Sequence, residues 1–161
     1  VVGPTAAGKS EVAEALAERA GAEIVSVDSM QVYRGMDIGT AKPDATTRAR
    51  FGYHLVDLVA PSEELTVAAY QAAGHDVLDG LAQAGRPAVL AGGSGLYLRA
   101  LVDPLEFPPT DDELRAELEE APHRDLVTEL VTADPGVGEV VDLANPRRVL
   151  RAVEVLRLTG D

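Results

Sequence analysis

Cysteine is absent from the 161 residues. Its absence excludes disulfide bonds, thiolate zinc sites and cysteine nucleophiles, and it fits a reducing, cytoplasmic compartment. Long apolar runs are missing as well: no segment approaches the roughly 20 apolar residues of a membrane span, so no membrane partner is expected. Basic residues are few. Fourteen Lys and Arg stand against 27 Asp and Glu, a net charge of −13, which by itself argues against nucleic acid, whose binders carry a basic footprint. The histidines, His54, His75 and His123, form no spaced ligand set, so a histidine-built metal site is not expected. There is no internal repeat and no low-complexity tract. A charged n-region leading into an apolar stretch is also lacking, which reads as no secretory leader. Val1-Val2 is a clipped strand before a glycine loop, and Thr159-Gly160-Asp161 stops just after a helical pattern. The expectation is a fragment truncated at both ends.

Apolar residues make up 46% of the chain, enough for a buried core. Apolar runs alternate with helical patterns, the signature of an α/β fold with a mainly parallel sheet flanked by helices. Residues 9–20 read as a helix with Val12, Ala13, Leu16, Ala17 and Ala20 on one face and Gly21 as its stop. Residues 23–27 read as a strand ending at Asp28, and 54–59 as a second. Residues 66–84 form a long helical pattern broken by Gly85-Arg86-Pro87; 88–91 is a short strand leading into Gly92-Gly93-Ser94-Gly95 and a further helix. From Asp103 the character changes to prolines and acidic helices. Thr110 is the expected N-cap of the first of these, with Glu113 completing a capping box. More helix follows at 123–133. Asn145-Pro146 opens a last helix over 146–158. Three segments result: an α/β core over 1–102, a helical insertion over 103–145, and a basic helix over 146–161 returning to the core. Tyr33, Tyr53, Tyr70 and Tyr97 read as packing residues.

Gly3-Pro4-Thr5-Ala6-Ala7-Gly8-Lys9-Ser10 matches the phosphate-loop pattern G-x-x-x-x-G-K-[ST] at every fixed position. Glycines allow the backbone to wrap a phosphate chain with its N–H groups inward, and the following helix adds the positive end of its dipole. Lys9 supplies a cation, and the Ser10 hydroxyl can ligate Mg²⁺. Most nucleotide-binding proteins with this loop take ATP or GTP, but a diphosphate on another carrier fits the same cradle. Asp28 ends the next strand, where ligands gather in open α/β sheets. It reads as a general base, a group reaching Mg²⁺ through water, or a turn cap.

GPTAAGKS, SVDSMQVYRGMDIGTAKP, GGSGLYLRAL, PPTDDELRAELE and NPRRVLRAVEVLRLTG, in this order and spacing, closely resemble the tRNA dimethylallyltransferase family over essentially the whole chain. That resemblance implies a P-loop NTPase-like fold with a helical tRNA-contacting insertion. It implies transfer of a dimethylallyl group from dimethylallyl diphosphate to N6 of the adenosine immediately 3′ of the anticodon in tRNA. The loop would then hold the diphosphate, with Mg²⁺, rather than ATP. Asp28 would be the general base, with Lys9 and Ser94 (threonine in most members) at the reacting diphosphate. Asp28, Ser29, Met30 and Gln31 match a segment contacting the target nucleotide, and Arg115 and the run Arg147, Arg148, Val149, Leu150, Arg151 match tRNA-contacting segments. The residues agree in part: Arg147, Arg148 and Arg151 fall within an arc of about 100° on the last helix, a plausible phosphate-contacting face, while Val149, Val153 and Leu156 turn toward a core. A monomer is expected. Two other readings stay open, an enzyme prenylating free adenine nucleotides and a P-loop small-molecule kinase or nucleotide-binding module.

Overall fold

The computed structural model describes residues 1–4 and 6–160. The chain divides into two compact units, Val1–Leu105 and Glu106–Asp161.

The first unit is a parallel sheet with helices on both faces. Its helices are α1 (Lys9–Ala20), α2 (Ala45–Phe51), α3 (Val67–Gln83) and α4 (Gly95–Val102), and its strands β1 (Glu23–Ser26), β2 (Tyr53–His54) and β3 (Ala88–Ala91). The strand order is β2-β1-β3, with Ile24 opposite Tyr53 and Val89. Val2 adds a parallel bridge to Gly92 beyond β3. Side chains of a strand alternate between faces, and β1 shows it. Ile24 packs with Ala13, Ala17 and Phe51 on the α1 side, whereas Val25 and Val27 join Tyr70, Leu81, Tyr97 and Leu101 on the α3–α4 side. Ile24, Val25 and Val27, the last just past the end of β1, are fully buried, each worth about 1.5–3 kcal/mol of apolar transfer. Tyr70 and Tyr97 stack with ring centroids 4.0 Å apart. The Tyr70 hydroxyl, buried with its ring, donates to the Ser26 carbonyl at 2.7 Å.

Several local expectations are corrected. The buried face of α1 is Ala13 and Ala17, while Val12 and Leu16 are about half exposed; the helix approaches the sheet on its smallest side chains. Residues 54–59 do not form a strand of the main sheet beyond Tyr53-His54. Leu55 and Asp57 take left-handed φ values of 58°, turning the chain away before Val59 bridges to Tyr33. Helix α2 lies in a stretch to which the sequence reading assigned no element. Its boundaries are chemical: Asp44 accepts from the Thr47 amide at 2.7 Å, and Gly52 closes it in the left-handed region.

The second unit holds α5 (Asp112–Glu120), α6 (His123–Ala133), a 3₁₀ turn (Val137–Glu139) and α7 (Pro146–Thr159). Leu118, Leu126, Leu130, Val137, Val149 and Val153 form its core. The helix α7, expected as a separate segment, thus shares this core with α5 and α6. Asp111, not Thr110, caps α5, accepting from the Leu114 amide at 2.8 Å. Asn145 caps α7 by accepting from the Arg147 and Arg148 amides, with Pro146 at the first helical position. No helix among the described residues is long and apolar enough to cross a membrane.

Candidate active site

The glycine loop runs from the strand stub into α1. Ala6 and Gly8 take left-handed φ values of 61° and 73°, and these reversals wrap the backbone around a hollow. Gly8 stands at the N-cap of α1 without a side-chain cap, leaving the first-turn N–H groups of the helix open to an anion. Lys9 folds back over the loop, its Nζ donating to the Pro4 carbonyl at 2.6 Å. Ser10 is exposed at the same end. Thr5 lies outside the described residues.

Asp28 follows β1 by two residues. One of its carboxylate oxygens accepts from the Met30 amide at 2.9 Å and the Gln31 amide at 3.3 Å. This turn leaves its second oxygen without a protein partner among the described residues. A cavity of about 250 Å³ brings the two parts together, lined by Gly8, Lys9, Ser10, Asp28, Gln31 and Thr40, among others. Hence a phosphate-loop cation, a helix N-terminus and a half-buried carboxylate share one cleft.

The other candidates are distributed as follows. Gly3 and Pro4 lead into the loop, and Ala6 and Ala7 line the cleft beside Gly8. Ser29 and Met30 are exposed outside its lining, while Gln31 lines it. The lining reaches Gly93 and stops there. Ser94 instead caps α4, its Oγ accepting from the Tyr97 amide at 3.3 Å, and its own amide donates to the Val27 carbonyl at 3.0 Å.

Sequence reasoning did not single out Glu11, Thr40, Ala41, Pro43 and Tyr53, all of which line the cleft. Thr40 to Pro43 belong to GMDIGTAKP, whose specificity was the available signal. Tyr53 had none, because it serves two ends: its ring packs on the α1-side core and its hydroxyl donates to Glu14 at 3.0 Å.

In the helical unit the four candidate arginines separate into two kinds. Arg147 and Arg148 are exposed and make no side-chain ion pair among the described residues. Arg115 and Arg151 are tied to Glu154, which is fully buried, at 3.1 and 2.7 Å. Arg151 also donates to the carbonyls of Pro108 and Pro109, and the Asp111 amide donates to Glu154 at 3.1 Å. Burial raises the Glu154 carboxyl, but the bonds from Arg151, the Asp111 amide and Arg115 outweigh it and hold the pKa below the ordinary value. Val149 is fully buried and Leu150 packs against the core. The Val149 side chain therefore reaches no surface ligand: one turn of helix separates the faces that a linear run of residues joins.

A family model described as IPP transferase matches residues 31–161, and one described as isopentenyl transferase matches residues 1–57. The tRNA dimethylallyltransferase of Streptomyces avermitilis is 48% identical over 165 residues, covering 99% of this chain and 53% of that protein. That of Bifidobacterium animalis subsp. lactis is 44% identical, over 99% of this chain and 49% of that one. The full-length tRNA isopentenylpyrophosphate transferase of Bacillus halodurans superimposes with a TM-score of 0.63 at 40% identity, covering 99% of this chain and 55% of that structure. A eukaryotic dimethylallyltransferase acting on tRNA gives a TM-score of 0.85 at 25% identity, over 99% of this chain and 41% of that one. The chain spans about half the length of the curated relatives it matches. With its phosphate loop, its strand-end carboxylate and these matches, the chain belongs to the IPP transferase family.

Proposed function

We propose that this chain forms part of an enzyme that transfers a dimethylallyl group from dimethylallyl diphosphate to N6 of the adenosine 3′-adjacent to the anticodon in tRNA. One observation supports this reading above others: the Asp28 carboxylate opens onto the same cleft as the phosphate loop. The diphosphate sits on the backbone N–H groups of the loop from Ala6 to Ser10 and on the Lys9 ammonium. The C1–O bond of dimethylallyl diphosphate breaks as the bond from adenine N6 to C1 forms. The amine gives its proton to the free oxygen of Asp28, and diphosphate leaves carrying the electron pair. A base acting at this exocyclic amine must meet the adenine out of its stack, which assigns the Gln31 and Thr40 side of the cleft to the extruded nucleotide. Ser94 acts through the N-terminus of α4, which it caps. Arg147 and Arg148 contact tRNA phosphates.

Mg²⁺ fits the donor set in kind, because the Ser10 hydroxyl and the substrate's phosphate oxygens are hard oxygen ligands. The described residues hold no cluster of three His, Cys, Asp or Glu for a protein-only site. When bound, the ion neutralises diphosphate charge, and Ser10 is the residue that would hold it. The absence of cysteine fits work in the cytoplasm.

Radiolabelled dimethylallyl diphosphate, Mg²⁺ and unmodified tRNA, given to the full-length protein and to Asp28→Ala, test the reading. Label in tRNA with wild type and not with the variant is the expected result. Label only in free AMP shifts the acceptor to a nucleotide. Absence of transfer, with tight ATP binding instead, overturns the assignment.

A further inference from the structure

The loop from Tyr33 to Pro43 holds a buried ammonium that neither the phosphate cradle nor the reacting carboxylate uses. The Lys42 side chain is 1% exposed. Its Nζ donates to the Tyr33 carbonyl at 2.6 Å and to Asp57 at 2.7 Å, and it pairs with Asp37 at 3.0 Å. These three oxygens occupy the three donors of an ammonium. The other Asp57 oxygen takes Arg48. Burial alone pulls the Lys42 pKa down, but the bonds to Asp57 and Asp37 outweigh it and hold the group above its ordinary value. Asp57 is lowered in turn: burial raises it, and Lys42 and Arg48 more than reverse that.

The backbone around this clasp is strained. Ala41, next to Lys42, has φ 50°, and Asp57 has φ 58°; non-glycine residues persist there only where contacts over-determine them. The strained stretch carries something toward the cleft. The carbonyls of Thr40 and Ala41 accept from Gln31 Nε2 at 3.3 and 3.4 Å. Gln31 Oε1 accepts from the buried Ser26 hydroxyl at 3.0 Å. The Gln31 backbone amide, finally, is one of the two that hold Asp28. The connection runs from ammonium to loop, to carboxamide, to backbone amide, to carboxylate.

We propose that Lys42 is a positioning residue: by clasping Tyr33, Asp37 and Asp57 it fixes the Thr40-Ala41 wall, which holds Gln31 and so aims the Asp28 carboxylate. It does not touch substrate. The inference rests on the reading of Asp28 as the base, and its test includes a readout independent of transfer.

Lys42→Met and Asp57→Asn in the full-length protein are compared with wild type. Amide hydrogen exchange at Met30 and Gln31, the donors to Asp28, accelerates in Lys42→Met, while amides of α1 and β1 stay protected. Transfer to tRNA falls ~10–100-fold in kcat, the scale expected for a misplaced group, and the Kd for inorganic pyrophosphate is unchanged. Asp57→Asn keeps the shape and an acceptor oxygen, so it gives the same pattern at smaller amplitude; if Lys42→Met does not fold, this variant decides. Unaltered exchange at Met30 and Gln31 overturns the proposal. So does loss of pyrophosphate affinity in step with kcat, which marks a general structural role. If wild type itself transfers nothing, the reading of function fails, and the exchange result still tells whether Lys42 governs the Asp28 turn.

Discussion

Asp28 is held by backbone N–H groups on one oxygen, at 2.9 and 3.3 Å, and the other oxygen has no protein partner among the described residues. Asn at this position keeps an acceptor for the turn and removes the proposed base. Asp28→Asn is therefore expected to fold normally and bind pyrophosphate like wild type. Its kcat for transfer should drop ~10²–10⁴-fold, the range for a general base, as measured under saturating tRNA. Gly92 shows a second residue-scale constraint. A Cβ there would lie 2.3 Å from the Val27 carbonyl oxygen, and backbone cannot give way as a side chain can. Gly92→Ala should cost about 1–3 kcal/mol, as over-packing does, read by denaturant unfolding. A cost below measurement error would mean that the strand ends can separate. The closeness of Gly92 to Val27 follows from the pairing of β1 with β3, which the string Gly92-Gly93 does not announce.

Among the elements, α7 is the one whose letters and role diverged most. Its caps were readable, since Asn145-Pro146 names both the N-cap and the first helical residue. Asn145→Ala is expected to cost about 1 kcal/mol. The fate of its arginines was not readable. Arg151 lies on the arc of Arg147 and Arg148, yet it turns to Glu154, because a carboxylate buried three residues on needs a partner. That pairing has a pH signature. Glu154 has a folded pKa below the ordinary 4.5, so its stabilisation is present above that value and is lost as the pH falls through the folded value. Thermal midpoints followed from pH 7 down to pH 3 should therefore decline less steeply in Glu154→Gln than in wild type. Removing both cations, as Arg115→Met with Arg151→Met, leaves the buried carboxylate without a cation and should cost about 3–5 kcal/mol at pH 7. Helix α2 shows the opposite case: the structure caps it with Asp44 and Gly52, but seven residues without an apolar period left it unread in the sequence.

For the whole molecule, a net charge of −13 has to be reconciled with the proposed RNA substrate. Affinity for a polyanion depends on the local cations that displace counterions rather than on the sum. In the helical unit Arg147 and Arg148 are exposed without an ion pair among the described residues, whereas the exposed Arg124 and Arg157 face the carboxylates of Asp125, Glu117 and Glu129. If Arg147 and Arg148 contact phosphates, replacing both with serine weakens tRNA binding alike for all sequences and lowers the slope of log K against log salt by about 2, about one per contact. An unchanged slope would remove these arginines from the interface and leave tRNA contact to other residues.

Local rules, read from the letters alone, were enough for the phosphate-loop pattern, the alternation of strand and helix, the caps of α7 and the family resemblance. Each depends on neighbours within a few residues: glycine at fixed spacing, apolar periodicity, a capping side chain before a helix. Tertiary structure decided what depends on distant segments meeting. It set the buried face of α1 through close approach to the sheet, and it broke the expected strand at Leu55 and Asp57. It buried Val149, drew Arg115 and Arg151 to Glu154, and joined Lys42 to Asp57 across the chain. Burial and ion pairing act through space, so neither is written in the order of the residues.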